Sequence, residues 1–321
     1  MARRLAWLLA LMAIAPGMAP PAHAAEPPVG RQWTRAFTLL DLANPFFDFW
    51  DGTTDLGVNE RVASFRAYFE PKQTRLMEAG VFARIDRRTF YDTTLPAYMR
   101  SLVLDPMRVE AIKLRKVRLQ HSIPLLANRL QTVFAAGELR LDRPFVLGVG
   151  FGLTEDSLVT VGDRLALYVP VDALTSMPME LELASGMFRL LRADLQGTTP
   201  SEGLGYTAFE EGAARYFAVE QFSGFSEPDA LGYNDAEWVK AQRQRPELVH
   251  DILGLFDSSD PDVLARYASA QPDGLDLPPR TAAYVGFLAV QRLRRTYSWD
   301  EIIRWDADTV RARMNQVLAV L

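Results

Sequence analysis

Apolar side chains recur at helical spacing through the first third of the chain. Over residues 31–136 they stand three or four positions apart, which places them on one face of a helix. The clearest examples are Val62, Phe65, Phe69, Leu76, Val81 and Ile85. We therefore predict a helical N-terminal region, with the aromatic cluster at residues 46–50 packed in its core.

A longer amphipathic pattern begins after Pro106, which interrupts the first one. It runs from about Arg108 to Phe134. Pro124 lies inside it, and a proline in a helix removes one backbone hydrogen bond and crowds the preceding turn. We therefore expect one long helix with a kink at Pro124.

After this helix the pattern changes to short apolar runs separated by glycine. Residues 144–152, 157–162 and 165–170 have the length and the β-branched content of strands. The stretch Gly148-x-Gly150-x-Gly152 lacks the Lys-Ser/Thr of a P-loop and the spacing of a dinucleotide-binding loop. The sequence thus predicts a small sheet with glycine-rich turns and no phosphate site.

Helical patterns return after Pro178. We predict helices over residues 179–195, 208–222, 279–296 and 299–320. Three pairs have the spacing of a capping box, in which a Ser, Thr or Asn stands three residues before a Glu. They are Thr207 with Glu210, Asn234 with Glu237, and Ser298 with Glu301.

The predicted fold class is α+β and mainly helical. A helical region covers residues 25–135, and a second region, the small sheet followed by helices, covers residues 136–321. We expect the two regions to pack as one unit, because the chain is long enough to bury one large core.

The first 24 residues have the pattern of a cleaved secretory signal. Arg3 and Arg4 form a basic start, an apolar stretch follows from Leu5 to about Pro16, and Ala22-His23-Ala24 fits the small residues of a cleavage site. The apolar stretch is too short to span a membrane, and no later run is long enough. The sequence therefore predicts a protein exported to the periplasm or the extracellular space, with no integral membrane segment after cleavage.

Charge and cysteine content narrow the classes of function. The formal net charge is −5, and it becomes more negative when Arg3 and Arg4 are removed. An acidic chain without clustered Lys and Arg is a poor nucleic-acid binder. The chain has no cysteine, so neither disulfides nor a thiol nucleophile contribute.

The start of the 179–195 helix has the outline of a metal-binding motif. Zinc peptidases place two histidines four residues apart on one helical face, in the motif H-E-x-x-H, with the intervening Glu as general base. Here Leu181 and Ser185 occupy the two histidine positions, and Glu182 occupies the position of the base.

A third zinc ligand in such enzymes comes from a later helix, and Glu211 is a candidate for that position. Plainer roles remain open for the glutamates of this helix. Glu210 could close a capping box with Thr207, and Glu211 could pair with Arg215 one turn later.

The order of motifs along the mature chain resembles that of a family of zinc-dependent bacterial metallopeptidases with H-E-x-x-H and a downstream Glu, of the gluzincin type. The similarity covers nearly all of the chain. The stretches that carry it are Asn44-Pro45-Phe46-Phe47-Asp48-Phe49-Trp50, Arg66-Ala67-Tyr68-Phe69, Phe90-Tyr91-Asp92, Tyr98-Met99-Arg100-Ser101, the glycine-rich strands, the 179–195 helix, Glu211-Gly212-Ala213-Ala214-Arg215-Tyr216 and Tyr284-Val285-Gly286-Phe287.

This resemblance implies a zincin-like fold with the small sheet preceding a degenerate active-site helix. It also implies a zinc site, and here the chain departs from the family. Leu181 cannot bind a metal and the Ser185 hydroxyl is a poor zinc ligand, so Leu181, Ser185 and Glu211 are remnant positions and we expect no bound metal. Zinc would be the cofactor only if the family chemistry survives.

Three hypotheses follow. The first is a pseudo-peptidase that has lost its zinc and acts by binding a peptide or protein partner, with Glu182 as the remnant base. The second is a working hydrolase that uses carboxylates or an unconventional metal site, with Tyr284 stabilising an oxyanion. The third discards the resemblance and regards the chain as an exported helical protein with a structural or assembly role. His121 and His250 are interpreted as surface or packed residues.

Overall fold

The computed structural model of the chain describes most of the residues after position 37. The described ranges are 38–134, 144–152, 157–173, 176–196, 203–270 and 277–321. The predicted signal peptide, residues 1–24, lies outside them. No helix within these ranges is long and apolar enough to cross a membrane.

The first part of the described chain is a series of short helices followed by one long helix. The helices are α1 (Ala43–Asp51), α2 (Val58–Ser64), α3 (Glu70–Met77), α4 (Arg87–Thr89), α5 (Leu95–Leu104) and α6 (Pro106–Phe134). Three π-helical turns, at Phe65–Phe69, Glu78–Phe82 and Phe90–Thr94, join the helices between α2 and α5. The long helix predicted over 108–134 is confirmed, and Pro124 lies on its exposed side.

Aromatic side chains fill the core of this part, as predicted for residues 46–50. Phe46 is buried and stacks on Trp50 with 6.4 Å between the ring centroids. Phe151, which follows the sheet strand at 145–148, inserts among these rings and lies 5.6 Å from Phe46 and 5.2 Å from Phe90. The helices and the sheet therefore share one apolar core.

The sheet has four strands in mixed orientation. They are β1 (Leu39–Asp41), β2 (Phe145–Gly148), β3 (Ser157–Val161) and β4 (Arg164–Pro170), in the spatial order β1-β2-β4-β3. β2 is parallel to both β1 and β4, whereas β3 is antiparallel to β4. The three strands predicted after the long helix are confirmed.

β1 corrects the prediction that residues 31–136 are helical throughout. Leu39 pairs with Phe145 and Asp41 pairs with Leu147. A strand of three residues has too few positions to show alternation, and its hydrogen-bond partner lies far along the sequence. Local patterning therefore could not indicate it.

The glycine-rich turn after β2 closes on a carboxylate of the chain itself. The Gly150 amide donates to Asp172 Oδ1 at 2.6 Å, and the Gly152 amide donates to Asp172 Oδ2 at 3.4 Å. Burial raises the pKa of the Asp172 carboxyl, and these amide hydrogen bonds oppose that rise. The turn thus binds an internal anion, and Phe151 adopts a left-handed conformation (φ 53°) to reach the aromatic core.

The remaining helices form the second part of the described chain. They are α7 (Met179–Gln196), α8 (Leu204–Gln221), α9 (Glu227–Leu231), α10 (Asp235–Gly254), α11 (Pro261–Ala268), α12 (Thr281–Leu293), α13 (Trp299–Ile302) and α14 (Ala307–Leu318). The 179–195 helix is confirmed as α7. The capping boxes predicted at Asn234 and Ser298 are confirmed at the starts of α10 and α13.

Two of the predicted helices differ from the structure. α8 begins at Leu204 with Gly203 as its N-cap, so Thr207 lies within the first turns and its hydroxyl donates to the Gly203 carbonyl at 3.1 Å. The predicted Thr207–Glu210 capping box is therefore wrong. The helix predicted over 299–320 is divided in two, because the Asp306 side chain accepts from the Thr309 amide and caps a new helix.

α8 and α12 approach until their backbones touch. A β-carbon added at Gly286 would lie 1.7 Å from the Ala208 carbonyl oxygen, and one added at Gly212 would lie 2.1 Å from the Gly286 carbonyl carbon. Both distances are shorter than any non-bonded contact, so glycine is the only residue that fits without moving a helix. This contact fixes the position of α8 and hence of Glu211.

We predict that G286A lowers the free energy of unfolding by about 3 kcal/mol, because the added methyl group must push two packed helices apart. Urea unfolding followed by circular dichroism measures the effect. G254A is the matched control, since no atom lies within 4 Å of the β-carbon position at Gly254, the last residue of α10. Equal unfolding midpoints for the two variants would contradict the close contact of α8 and α12.

Candidate functional site

α7 is buried on nearly all of its sides. The residues that are buried include Leu181, Glu182, Ser185, Met187 and Arg192. A helix packed all round belongs to the interior of a protein, and its polar side chains then need internal partners. The partners of Glu182 and of the arginines on α7 therefore determine what this site can do.

The two positions expected for zinc-binding histidines both face the interior. Leu181 is fully buried in the apolar core, and Ser185 is buried one turn later. Leu181 has no atom that can coordinate a metal, and a neutral hydroxyl at Ser185 is a weak zinc ligand. Neither position therefore supplies a nitrogen ligand for zinc.

Glu182 is held by an arginine of the long helix α6. Its side chain is 5% exposed, and Oε2 accepts a hydrogen bond from Nη2 of Arg115 at 2.6 Å. Glu182 also lies in the first turn of α7, where the helix dipole favours negative charge. The guanidinium and the dipole both compensate the negative charge of the carboxylate.

Glu211 of α8 faces α7, and two arginines bind it. Arg189 Nη1 lies 3.4 Å from Oε1, and Arg215 Nη2 lies 3.5 Å from Oε2. Because residues seven apart share a helix face, Arg189 lies on the same face of α7 as Glu182. The Glu211–Arg215 pair suggested by their spacing is confirmed, and the structure adds Arg189.

These arginines decide the ionisation of Glu211. Burial raises the pKa of the Glu211 carboxyl, but the positive charges around it, first of all those of Arg189 and Arg215, together lower the pKa by more. The pKa is therefore lower than usual. Arg280 contributes in the same direction. Glu211 is therefore a carboxylate at neutral pH whose charge is already balanced by guanidinium groups.

Arg280 occupies a strained position at the start of α12. It adopts a left-handed conformation with φ 51°, which is uncommon for residues other than glycine. Its Nη1 atom lies close to Gly232, where an added β-carbon would be 3.3 Å away. Gly232 itself has φ 66°, and a β-carbon there would also lie 2.5 Å from Ser176 Oγ, so glycine suits this crowded turn.

Tyr284 lies one turn after Arg280 on α12 and packs among other rings. It lies 5.9 Å from Trp238 in an edge-to-face arrangement and 6.3 Å from Tyr233. Burial raises the pKa of the Tyr284 phenol. The Tyr233 hydroxyl donates to the Pro279 carbonyl at 2.5 Å. The surroundings of Tyr284 are thus those of a packed core residue.

The residues present at α7 and α8 do not fit a zinc ion. Within the described ranges, no group of three or more His, Asp or Glu side chains is arranged so that it could hold a metal ion. His121 is exposed on α6 and His250 is exposed on α10. A cation added near Glu211 would also meet Arg189 and Arg215, whose charges repel it.

A further ion pair joins α7 and α8 near the C-terminal end of α7. Arg192 is 1% exposed, and its Nε donates to Glu210. Its Nη1 donates to the carbonyls of Ile302 and Ile303 at 3.2 and 3.1 Å. Glu210 therefore neutralises a buried arginine that also caps the end of α13.

Comparison with known proteins gives no relative from which a role could be transferred. No protein-family model, no curated protein and no solved structure matches the chain. The zinc-peptidase interpretation therefore depends on the sequence motifs described above.

Three arginines of the site, Arg115, Arg189 and Arg192, were not indicated by the sequence analysis. The sequence could have indicated Arg189, because it lies seven positions after Glu182 and therefore on the same face of the helix. Arg115 had none, because it lies on another helix far away in the sequence. Only the packing of α6 against α7 brings its guanidinium to Glu182.

We predict that E211Q changes the dependence of stability on pH. A carboxyl group with a lowered pKa in the folded protein stabilises the fold above its unfolded pKa, and this stabilisation is lost as the pH falls through the folded pKa. The difference in unfolding free energy between the wild type and E211Q should therefore be larger at pH 7 than below about pH 4.

Urea unfolding at several pH values measures this difference. E247Q, at an exposed position of α10, controls for the loss of one negative charge. A difference between the wild type and E211Q that stays constant with pH would contradict the ion pairs of Glu211.

We predict that R192M destabilises the protein by about 3 kcal/mol, because it leaves the carbonyls of buried Ile302 and Ile303 and the half-buried Glu210 without their partner. Chemical unfolding provides the measurement. R88M removes an arginine whose side chain is 90% exposed and should change stability by less than about 0.5 kcal/mol. If the two variants were equally stable, the proposed role of Arg192 would be wrong.

Proposed function

We propose that this chain is an exported, metallopeptidase-like protein without peptidase activity, which acts by binding a peptide or protein partner. The observation that carries the proposal is the pairing of both candidate carboxylates with arginine. Arg115 binds Glu182, and Arg189 and Arg215 bind Glu211.

The chemistry of peptide hydrolysis gives the physical reason. A zinc ion lowers the pKa of its bound water and polarises the peptide carbonyl, and a glutamate beside it accepts the proton. A carboxylate alone does not lower the pKa of water. Guanidinium groups can balance the charge of the two glutamates, but they have no coordination site for water.

Export is part of the same proposal. It is supported by the basic start at Arg3 and Arg4, the apolar stretch that follows them and the small residues before position 25. The absence of cysteine agrees with a fold that needs no disulfide in an oxidising compartment.

The deciding experiment is a measurement of bound metal. Residues 25–321, purified without a histidine tag, are equilibrated with excess zinc, desalted and analysed for metal per chain. We expect far less than one zinc ion per chain, because Leu181 and Ser185 supply no nitrogen ligand. The same preparation should not hydrolyse a quenched fluorescent peptide library.

E182Q and E211Q are the matched variants for this experiment. If the wild type bound one zinc ion per chain and hydrolysed peptides, and E182Q abolished only the hydrolysis, the protein would be a working hydrolase. A loss of bound zinc in E211Q would then identify Glu211 as a ligand. Either result would overturn the proposed function.

A further inference from the structure

A surface pocket lies between α6 and the segment that leads into α7. Its volume is about 440 Å³, which is within the range of small ligand sites. Leu114, Arg115 and Arg118 line it from α6, and Met177 and Met179 line it from the other side. Arg115 also holds Glu182, so the pocket adjoins the candidate site described above.

The apolar part of the pocket continues along the surface of α6. Leu114 is 55% exposed, and Met107 and Leu125 are exposed at 76% and 60%. Their spacings of seven and eleven residues place the three side chains on one face of the helix. A row of exposed apolar side chains that includes methionine beside a pocket is typical of a surface that binds other proteins.

One exposed cation at the pocket, Arg118, favours an acidic side chain in the partner. α6 contains six lysines and arginines but only one acidic residue, although the whole chain carries a net charge of −5. Most of these cations interact with other groups of the chain. Arg115 forms an ion pair with Glu182, and Lys116 forms one with Asp41. Arg118 is exposed and forms no hydrogen bond or ion pair with the described residues.

The opposite wall of the pocket suits a polypeptide. Glu180 lies there, beside Met179. A peptide carries N–H donors as well as oxygen acceptors, so its backbone amides can donate to Glu180 while an acidic side chain accepts from Arg118. A purely anionic small molecule would satisfy Arg118 and be repelled by Glu180.

We propose that the pocket and the exposed row on α6 bind a segment of a partner protein that combines apolar and acidic side chains. An apolar side chain lies between Leu114 and the methionines Met177 and Met179, and an acidic one pairs with Arg118. This inference rests on the proposed binding function and assigns it a site and a class of partner.

The test uses labelled peptide pools. A fluorescein-labelled pool of short peptides built from Leu and Glu in random order is titrated with residues 25–321, and the fluorescence anisotropy is measured. Control pools contain Gln or Lys in place of Glu. We expect the Leu/Glu pool to bind at least about tenfold more tightly than the Lys pool, and to bind more weakly as the salt concentration rises.

Two variants locate the binding. R118E should weaken binding of the Leu/Glu pool about tenfold, because it places like charges together. L114A should also weaken binding to all Leu-containing pools by removing apolar contact. R243E makes the same charge reversal at an exposed position of α10 and should leave the affinity within about twofold. Circular dichroism confirms that each variant is folded.

Three results would overturn this inference. They are the absence of binding by every pool, equal binding of the Glu and Lys pools, and equal losses for R118E and R243E. Failure here is distinguishable from failure of the proposed function, because the latter would appear as bound zinc and hydrolysis. If the protein proves zinc-free and inactive but binds no pool, only the binding site assigned to α6 is refuted.

Discussion

The burial of α7 is the constraint on which the rest of the site depends. A helix enclosed by its neighbours cannot leave Glu182 unpaired, because an isolated buried charge costs several kcal/mol. In a zinc enzyme the metal would supply the balancing positive charge. Here Arg115 supplies it from α6, so that the long helix and the central helix are joined by one ion pair.

The same solution recurs on α8. Glu211 is balanced by Arg189 and Arg215, and Glu210 is balanced by Arg192. The pairs Arg189–Glu211 and Arg192–Glu210 join α7 to α8, and the pair Arg215–Glu211 joins two turns of α8. The charges of Arg189 and Arg215 lower the pKa of Glu211, which keeps that carboxyl ionised at neutral pH.

The two halves of the described chain depend on one another in a similar way. β1 belongs to the first half but pairs with β2, and Phe151 of the second half is inserted among Phe46, Phe65 and Phe90. Asp172 holds the turn that carries Phe151 by accepting from its glycine amides. The surface of α6 proposed above to bind a partner therefore lies over a closely packed interior.

The candidate site was only partly predictable from sequence. The motif at residues 181–185 indicated α7 and the position of Glu182, and the spacing of Glu211 and Arg215 indicated their pair. Arg115 could not be connected with Glu182 by any local rule. The spacing of Thr207 and Glu210 predicted a capping box. In the structure α8 begins earlier, at Leu204, and Glu210 forms an ion pair with Arg192 instead.

What the sequence by itself determined was the class of the fold and most of its long elements. Helix and strand patterns depend on side chains close together in the chain, and so α6, α7 and the three strands after α6 were found from their periodicity. The break between α13 and α14 follows from the local cap of Asp306 with Thr309, which the helix pattern did not reveal. Tertiary structure alone decided the short strand β1 and the pairing of Arg115 with Glu182 and of Arg189 with Glu211. The reason is that strand pairing, close helix contacts and buried ion pairs join residues that are distant in sequence, and their free energy exists only once the chain has folded.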